Sequence, residues 1–220
     1  METVLDPLEA RVLACLVEKS MTIPEHYPLT LNALVAACNQ KSSRNPTLLL
    51  TDKDVLHALD SLRDRKLAWQ TMRSGSRTPR YRHSLTDVFA LTDAHGAVLC
   101  ELMLRGPQTA GELRSRASRM VQLPDLSAVQ EILQDLTDRP SGSLATTMPS
   151  RPGRREVRYA HLLCGPPADT AAPEPCVEPP RPAVPADNRR LEALEGQVAS
   201  LAEQLSRLGD RLTEFENQFR

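Results

Sequence analysis

Residues 51–66, TDKDVLHALDSLRDRK, and residues 67–83, LAWQTMRSGSRTPRYRH, decide the fold. In the first segment Val55, Leu59 and Leu62 recur at helical spacing. Thr51 stands where a helix needs a cap, with Asp54 three residues on. In the second segment Trp69 and Met72 suit one strand, Ser74-Gly75-Ser76 a turn and Tyr81 the return strand. This hairpin carries Arg73, Arg77, Arg80 and Arg82. The same idea returns in SAVQEILQDLTDR, residues 127–139, followed by a hairpin that ends in SRPGRREVRYAHL, residues 150–162. Its arginines are Arg151, Arg154, Arg155 and Arg158. A helix followed by a two-stranded basic wing is the reading end of a winged helix.

The sequence upstream of each copy fits this reading. Asp6-Pro7-Leu8-Glu9 is a helix start with a capping box, and Leu8, Val12, Leu13, Leu16 and Val17 follow at helical spacing. Pro24 and Pro28 make residues 21–30 extended or looped. Thr30 caps a second helix over LNALVAACNQ, KSSRNP is a turn, and Leu48–Leu50 suits a short strand. In the second copy Asp93 is the expected cap of AHGAVLCELMLR. Thr109 to Glu112 forms a capping box, and Ser127 to Gln130 another. The copies match as a diverged repeat: Val12-Leu13, Leu16 and Lys19 with Val98-Leu99, Leu102 and Arg105; Thr30 and Leu34 with Thr109 and Leu113; Val55, Leu59 and Leu62 with Val129, Leu133 and Leu136.

Past residue 164 the character changes. Residues 165–187 hold eight prolines and no apolar period, which predicts a disordered linker. Then Leu191, Leu194, Val198, Leu201, Leu205, Leu208, Leu212, Phe215 and Phe219 alternate steps of three and four, the seam of a coiled coil. Arg190 and Arg211 sit at g, Glu195 and Glu216 at e. A parallel in-register pair sets each arginine against a glutamate of the other strand, whereas an antiparallel pair does not. The pattern therefore predicts a parallel homodimer, weakened by Gly196 and Gly209.

The expected fold class is mainly α with small β-hairpins (α+β). It comprises winged-helix domains at 1–84 and 85–164, a linker at 165–187 and a coiled-coil helix at 188–220. Composition agrees. Aromatic residues make up 3% of the chain, with one tryptophan, so the cores rest on Leu, Val and Ala. This favours small helical domains over one large α/β domain. The formal net charge of −1 hides a split. Residues 1–165 carry 21 Lys and Arg against 18 Asp and Glu, a net of +3; residues 166–220 carry 6 against 10, a net of −4.

Cys15, Cys38, Cys100, Cys164 and Cys176 are odd in number and irregular in spacing, which indicates neither a disulfide framework nor a zinc site. No signal-peptide pattern and no long apolar run occurs, so the expectation is a cytoplasmic protein away from membranes.

The segments YPLTLNALVAACNQKSSRNP, VLHALDSL, LRGPQTAGELRSRASRM and RPGRREVRYAHL resemble the YceH-like family of uncharacterised bacterial tandem winged-helix proteins. The resemblance covers about residues 4–163. It implies two tandem winged helices and no established activity, so it brings no catalytic residues. The family's second wing usually has an arginine after the proline matching Pro149; this chain has Ser150.

The residues themselves also lack catalytic motifs: no phosphate-binding glycine loop, no G-x-S-x-G, no H-E-x-x-H and no ligand-spaced His/Cys cluster. The expectation is therefore a non-enzyme without cofactor or metal. Two readings of its function follow. In the first, the protein binds DNA weakly through its wings, by Arg73, Arg77, Arg80 and Arg82 of wing one and Arg151, Arg154, Arg155 and Arg158 of wing two, together with an Arg114, Arg116 and Arg119 face, in regulation or chromosome maintenance. In the second, the winged helices are an assembly scaffold for a protein partner. The outward positions of the 51–66 helix include Asp54, Asp60 and Asp64, and those of its copy include Glu131, Asp135 and Asp138, which suits neither helix to a groove lined with phosphates.

Overall fold

Seven helices and two small antiparallel sheets carry the described residues of this computed structural model, 4–72, 75, 77–148 and 156–167. The first helix, α1 (Pro7–Thr22), begins where the capping box places it. Asp6 Oδ1 accepts from the amides of Leu8 (2.7 Å) and Glu9 (2.8 Å), and the Asp6 amide donates to Glu9 Oε2 (2.9 Å). A single 3₁₀ turn (Pro24–His26) leads to β1 (Leu29–Thr30), α2 (Leu31–Cys38), α3 (Asp52–Asp64) and the hairpin β2 (Ala68–Met72) and β3 (Pro79–His83). After the short α4 (Leu85–Val88) the order returns. It runs α5 (Asp93–Arg105), β4 (Gln108–Thr109), α6 (Ala110–Ala117), α7 (Leu126–Thr137), β5 (Ala145–Thr147) and β6 (Arg158–His161).

The repeat extends to register. In the first sheet, ordered β1-β3-β2, Leu29 pairs with Tyr81, Thr30 with Arg80 and Ala68 with His83. In the second, ordered β4-β6-β5, Gln108 pairs with Tyr159, Thr109 with Arg158 and Ala145 with His161. Each third strand is two residues long and runs straight into a threonine-capped helix. Residues 21–30, expected to be extended or looped, hold the end of α1, the 3₁₀ turn and β1, where Leu29 is buried and its backbone completes the edge of β3.

Three local expectations give way. Thr92, not Asp93, caps α5, its hydroxyl accepting from the His95 amide. Asp125, not Ser127, caps α7, accepting from the Ala128 amide at 2.8 Å, so the helix starts at Leu126. Leu48–Leu50 forms no strand. The Leu50 amide donates to Asn39 Oδ1 (2.7 Å) and the Leu50 carbonyl accepts from Asn39 Nδ2 (2.9 Å), so one side chain satisfies both backbone groups.

Val55, Leu59 and Leu62 of α3 are fully buried, as are Val129, Leu133 and Leu136 of α7. Burying each such side chain contributes about 1.5–3 kcal/mol. The apolar core runs without a break from one half of residues 4–167 to the other, chiefly where α1 packs on α5. There the Cys100 thiol donates to the Ala14 carbonyl at 3.2 Å. Cys15, Cys38 and Cys100 are all buried free thiols. No helix among the described residues is long and apolar enough to cross a membrane. The seam from Leu191 to Phe219 and the linker from residue 168 on lie outside the described residues.

Candidate nucleic-acid interface

The arginines of the expected interface fall into three groups. Arg73, Arg151, Arg154 and Arg155 lie outside the described residues. Others are held by the protein itself. Arg80 donates to the carbonyls of Pro28 (2.7 Å) and His26 (3.5 Å), and Arg158 donates to that of Pro107 (2.7 Å) and pairs with Glu112 (3.5 Å). These two are equivalent in the repeat, and each ties its central strand to the segment entering the third strand. Arg114 donates to the Pro124 carbonyl (3.0 Å), and Arg116 donates to Gln108 Oε1 (2.7 Å) and pairs with Glu112 (3.7 Å). The third group, Arg77 and Arg82, is exposed.

Arg119 belongs to a buried ionic network instead of an open basic face. Its guanidinium reaches Glu18 (2.5 Å) and Glu101 (2.7 Å), joining α1 to α5. Glu18 is also held by Arg44 through two contacts, at 3.1 and 2.5 Å, and Glu101 by Arg105 at 3.1 Å. The side chains of Glu18, Glu101 and Arg44 have no solvent exposure. Burial pushes the Glu18 carboxyl up, but the hydrogen bond and charge of Arg44, with Arg119 behind them, reverse this and hold it below its ordinary value. Burial works against the Arg44 and Arg119 charges too; their glutamate partners keep both guanidinium pKa values above the usual one. The Arg44 guanidinium also donates to the Ala37 carbonyl (2.8 Å) and Gln40 Oε1 (3.0 Å), which fixes the loop after α2.

Sequence reasoning missed this network. Its partners are far apart in the chain, and KSSRNP reads locally as a polar turn. One signal was present: Glu101 sits in AVLCELML with apolar residues on every side, and a charge in such a place needs a buried partner.

With those arginines engaged, the distribution of the remaining cations is uneven. Among the described residues Lys41, Lys53, Lys66, Arg77 and Arg82 are exposed. All five lie in the first half. In the second half the described arginines 105, 114, 116, 119, 139 and 158 are each engaged by another residue of the chain, Arg139 through the Phe89 carbonyl, although Arg114 and Arg119 stay exposed. The outer faces of α3 and α7 are acidic as expected, with Asp60 and Asp64 exposed on one and Glu131, Asp135 and Asp138 on the other.

The outer face of the first sheet is set by register. Trp69 lies opposite Arg82 and Thr71 opposite Arg80, and they share a face. The opposite face carries Ala68 and Tyr81, 1% and 4% exposed, and packs on the core. Trp69 is 47% exposed. The same positions in the second sheet are Thr146 and Ala160.

The family model described as "Protein of unknown function, DUF480" matches residues 5–154. The chain belongs to this family. It is similar over its whole length, and theirs, to UPF0502 proteins of Geobacter metallireducens (50% identical) and Geobacter sulfurreducens (47%). A UPF0502 protein of Vibrio atlanticus is 41% identical over 94% of this chain and 96% of its own. The bacterial family expected from the quoted segments is therefore the one found, and it spans distant bacterial groups.

Proposed function

We propose that this DUF480 chain is a non-enzymatic tandem winged-helix protein that binds DNA through the first of its two repeats. One observation carries the reading: the exposed cations whose side chains have no hydrogen bond or ion pair among the described residues, Lys41, Lys53, Lys66, Arg77 and Arg82, all lie in the first half, while each described second-half arginine is engaged by another residue of the chain. Exposed cations neutralise phosphates and release counterions, whereas arginines already paired to carboxylates and carbonyls do so poorly. Lys53 stands in the first turn of α3, but the outer faces of α3 and α7 are otherwise acidic, so contact falls chiefly to Arg77 and Arg82 of the wing. Modest sequence preference follows, because phosphate contacts position without reading bases.

Residues 188–220 supply a parallel homodimer in this proposal, which doubles the weak contact of each chain. Sedimentation equilibrium of the full chain is expected to give a dimer, and a monomer at every concentration tested rejects it. DNA binding is tested by fluorescence anisotropy with a labelled random duplex at several salt concentrations. Affinity that falls steeply with salt, with a shallower slope for Arg77→Ala/Arg82→Ala, supports the proposal. Absence of binding at low salt rejects it. A second reading, a scaffold for a basic protein partner, is favoured by Leu49, 92% exposed just ahead of the acidic α3. Capture of one partner that Leu49→Asp abolishes, together with no DNA binding, selects it.

A further inference from the structure

We infer that the outer face of the first sheet is a stacking platform for unpaired bases, so that the nucleic acid this protein prefers is single-stranded. The inference rests on the nucleic-acid reading above and narrows it. Trp69 is the chain's one tryptophan, and it projects from β2, an edge strand, at 47% exposure. Arg82 stands directly across from it on β3, exposed, its side chain making no hydrogen bond or ion pair with another described residue. Among the described residues the ring contact is Tyr27 with His83, so no ring or cation-π contact engages the half-exposed indole. Arg80 lies two residues along β3 on the same side, about 6.8 Å away, its guanidinium anchored to the Pro28 carbonyl.

An exposed indole beside planar, charged guanidinium groups suits one ligand chemistry well. Bases offer π-faces to the indole, and the phosphates that join them offer charge to the arginines. Paired bases hide those faces inside the stack, so a duplex meets only the charge. A lone exposed aromatic residue is common on protein surfaces. What distinguishes this one is its pairing with an uncommitted arginine and its absence from the sister sheet. There Thr146 and Ala160 occupy the same two positions, and Ala160 is 3% exposed. The second repeat keeps the scaffold, Arg158 and Tyr159 included, without the platform.

The sister sheet also supplies the variant. Trp69→Thr/Arg82→Ala gives the first sheet the pair that the second already folds with, so loss of binding is separable from loss of structure. The full-length protein is titrated with an oligothymidylate about 20 nucleotides long, enough to span one or more binding sites, and with a duplex of equal length. Three results are expected. The oligothymidylate quenches the intrinsic tryptophan fluorescence and binds more tightly than the duplex. Arg82→Ala weakens the quenching titration. The double variant, followed by anisotropy of labelled oligothymidylate, loses roughly tenfold in affinity with an unchanged thermal midpoint. Duplex binding at least as tight as single-strand binding, with no quenching, overturns the platform and leaves the DNA reading standing. Binding to neither overturns both. Quenching by a proline-rich peptide and not by the oligonucleotide overturns the platform in favour of a peptide groove.

Discussion

The two sheets share a register and differ in what they turn outward. Arg80 and Arg158, Tyr81 and Tyr159, His83 and His161 hold corresponding places, and each arginine donates to the carbonyl of a proline just ahead of the third strand. At the next corresponding pair of positions one sheet has the exposed Trp69 and Arg82 and the other has Thr146 and the buried Ala160. The difference teaches that the repeat preserves what builds the fold and lets the remaining surface positions diverge. An arginine count taken along the sequence does not separate the two roles; hydrogen-bond partners do.

The comparison breaks most strongly in the buried network, where the halves are unequal. Glu18 depends on Arg44 and Arg119, and Arg44→Met leaves its buried carboxylate to the partly exposed Arg119 and to Lys19 at 3.8 Å. The expected cost is about 3–5 kcal/mol, read from urea denaturation. Arg105→Met is expected to cost less, because Arg119 still holds Glu101. Equal losses would show that the two glutamates are supported alike.

The histidines sharpen the comparison from the other side, because here the halves should agree. Burial pushes both His83 and His161 down to about 4, and in each Nδ1 is buried without a hydrogen-bond partner. The unfolded chain, with imidazoles near 6.5, takes up protons first as pH falls. Stability is therefore complete above about pH 6.5 and is lost progressively down to about pH 4, by about 2–3 kcal/mol for each histidine. Urea midpoints between neutral pH and about pH 4.5 should fall less steeply for His83→Gln and for His161→Gln, by similar amounts. An unchanged slope in either variant would mean that its imidazole is already accessible to protons.

The smallest effect concerns the caps. Asp125→Ala should cost about 1 kcal/mol and Thr51→Ala a similar amount, while Ser127→Ala should stay within about 0.5 kcal/mol. Comparable losses at Asp125 and Ser127 would place the start of α7 later than Leu126.

The order helix, helix, helix, hairpin was legible because apolar spacing and threonine caps are local signals. Val55, Leu59 and Leu62 could be read directly, and so could the capping boxes at Asp6, Thr51 and Thr109. The Asp125 cap was legible too, but only through the repeat: the spacing that carries Val55 onto Val129 carries Thr51 onto Asp125, whereas the local pattern pointed to Ser127. The β1 strand was hidden by its length of two residues and by Pro24 and Pro28 just ahead of it. Within the candidate interface, Arg77 and Arg82 could be named from sequence, but their distinction from Arg80, Arg119 and Arg158 could not. That distinction depends on contacts such as Arg119 with Glu18, which join residues a hundred positions apart. The exposure of Trp69 was equally out of reach, since an aromatic residue in a strand reads the same on either face.

The bridge from Arg119 to Glu18 and Glu101 bears on ancestry as well as stability. Under the spacing that superposes α1 on α5, Glu18 corresponds to Leu104 and Glu101 to Cys15. A protein made of two identical first halves would bury a glutamate on each side with no Arg119 to join them; two second halves would lack Arg44. The halves have become complementary and are no longer interchangeable, so this chain cannot be shortened to one module and duplicated back.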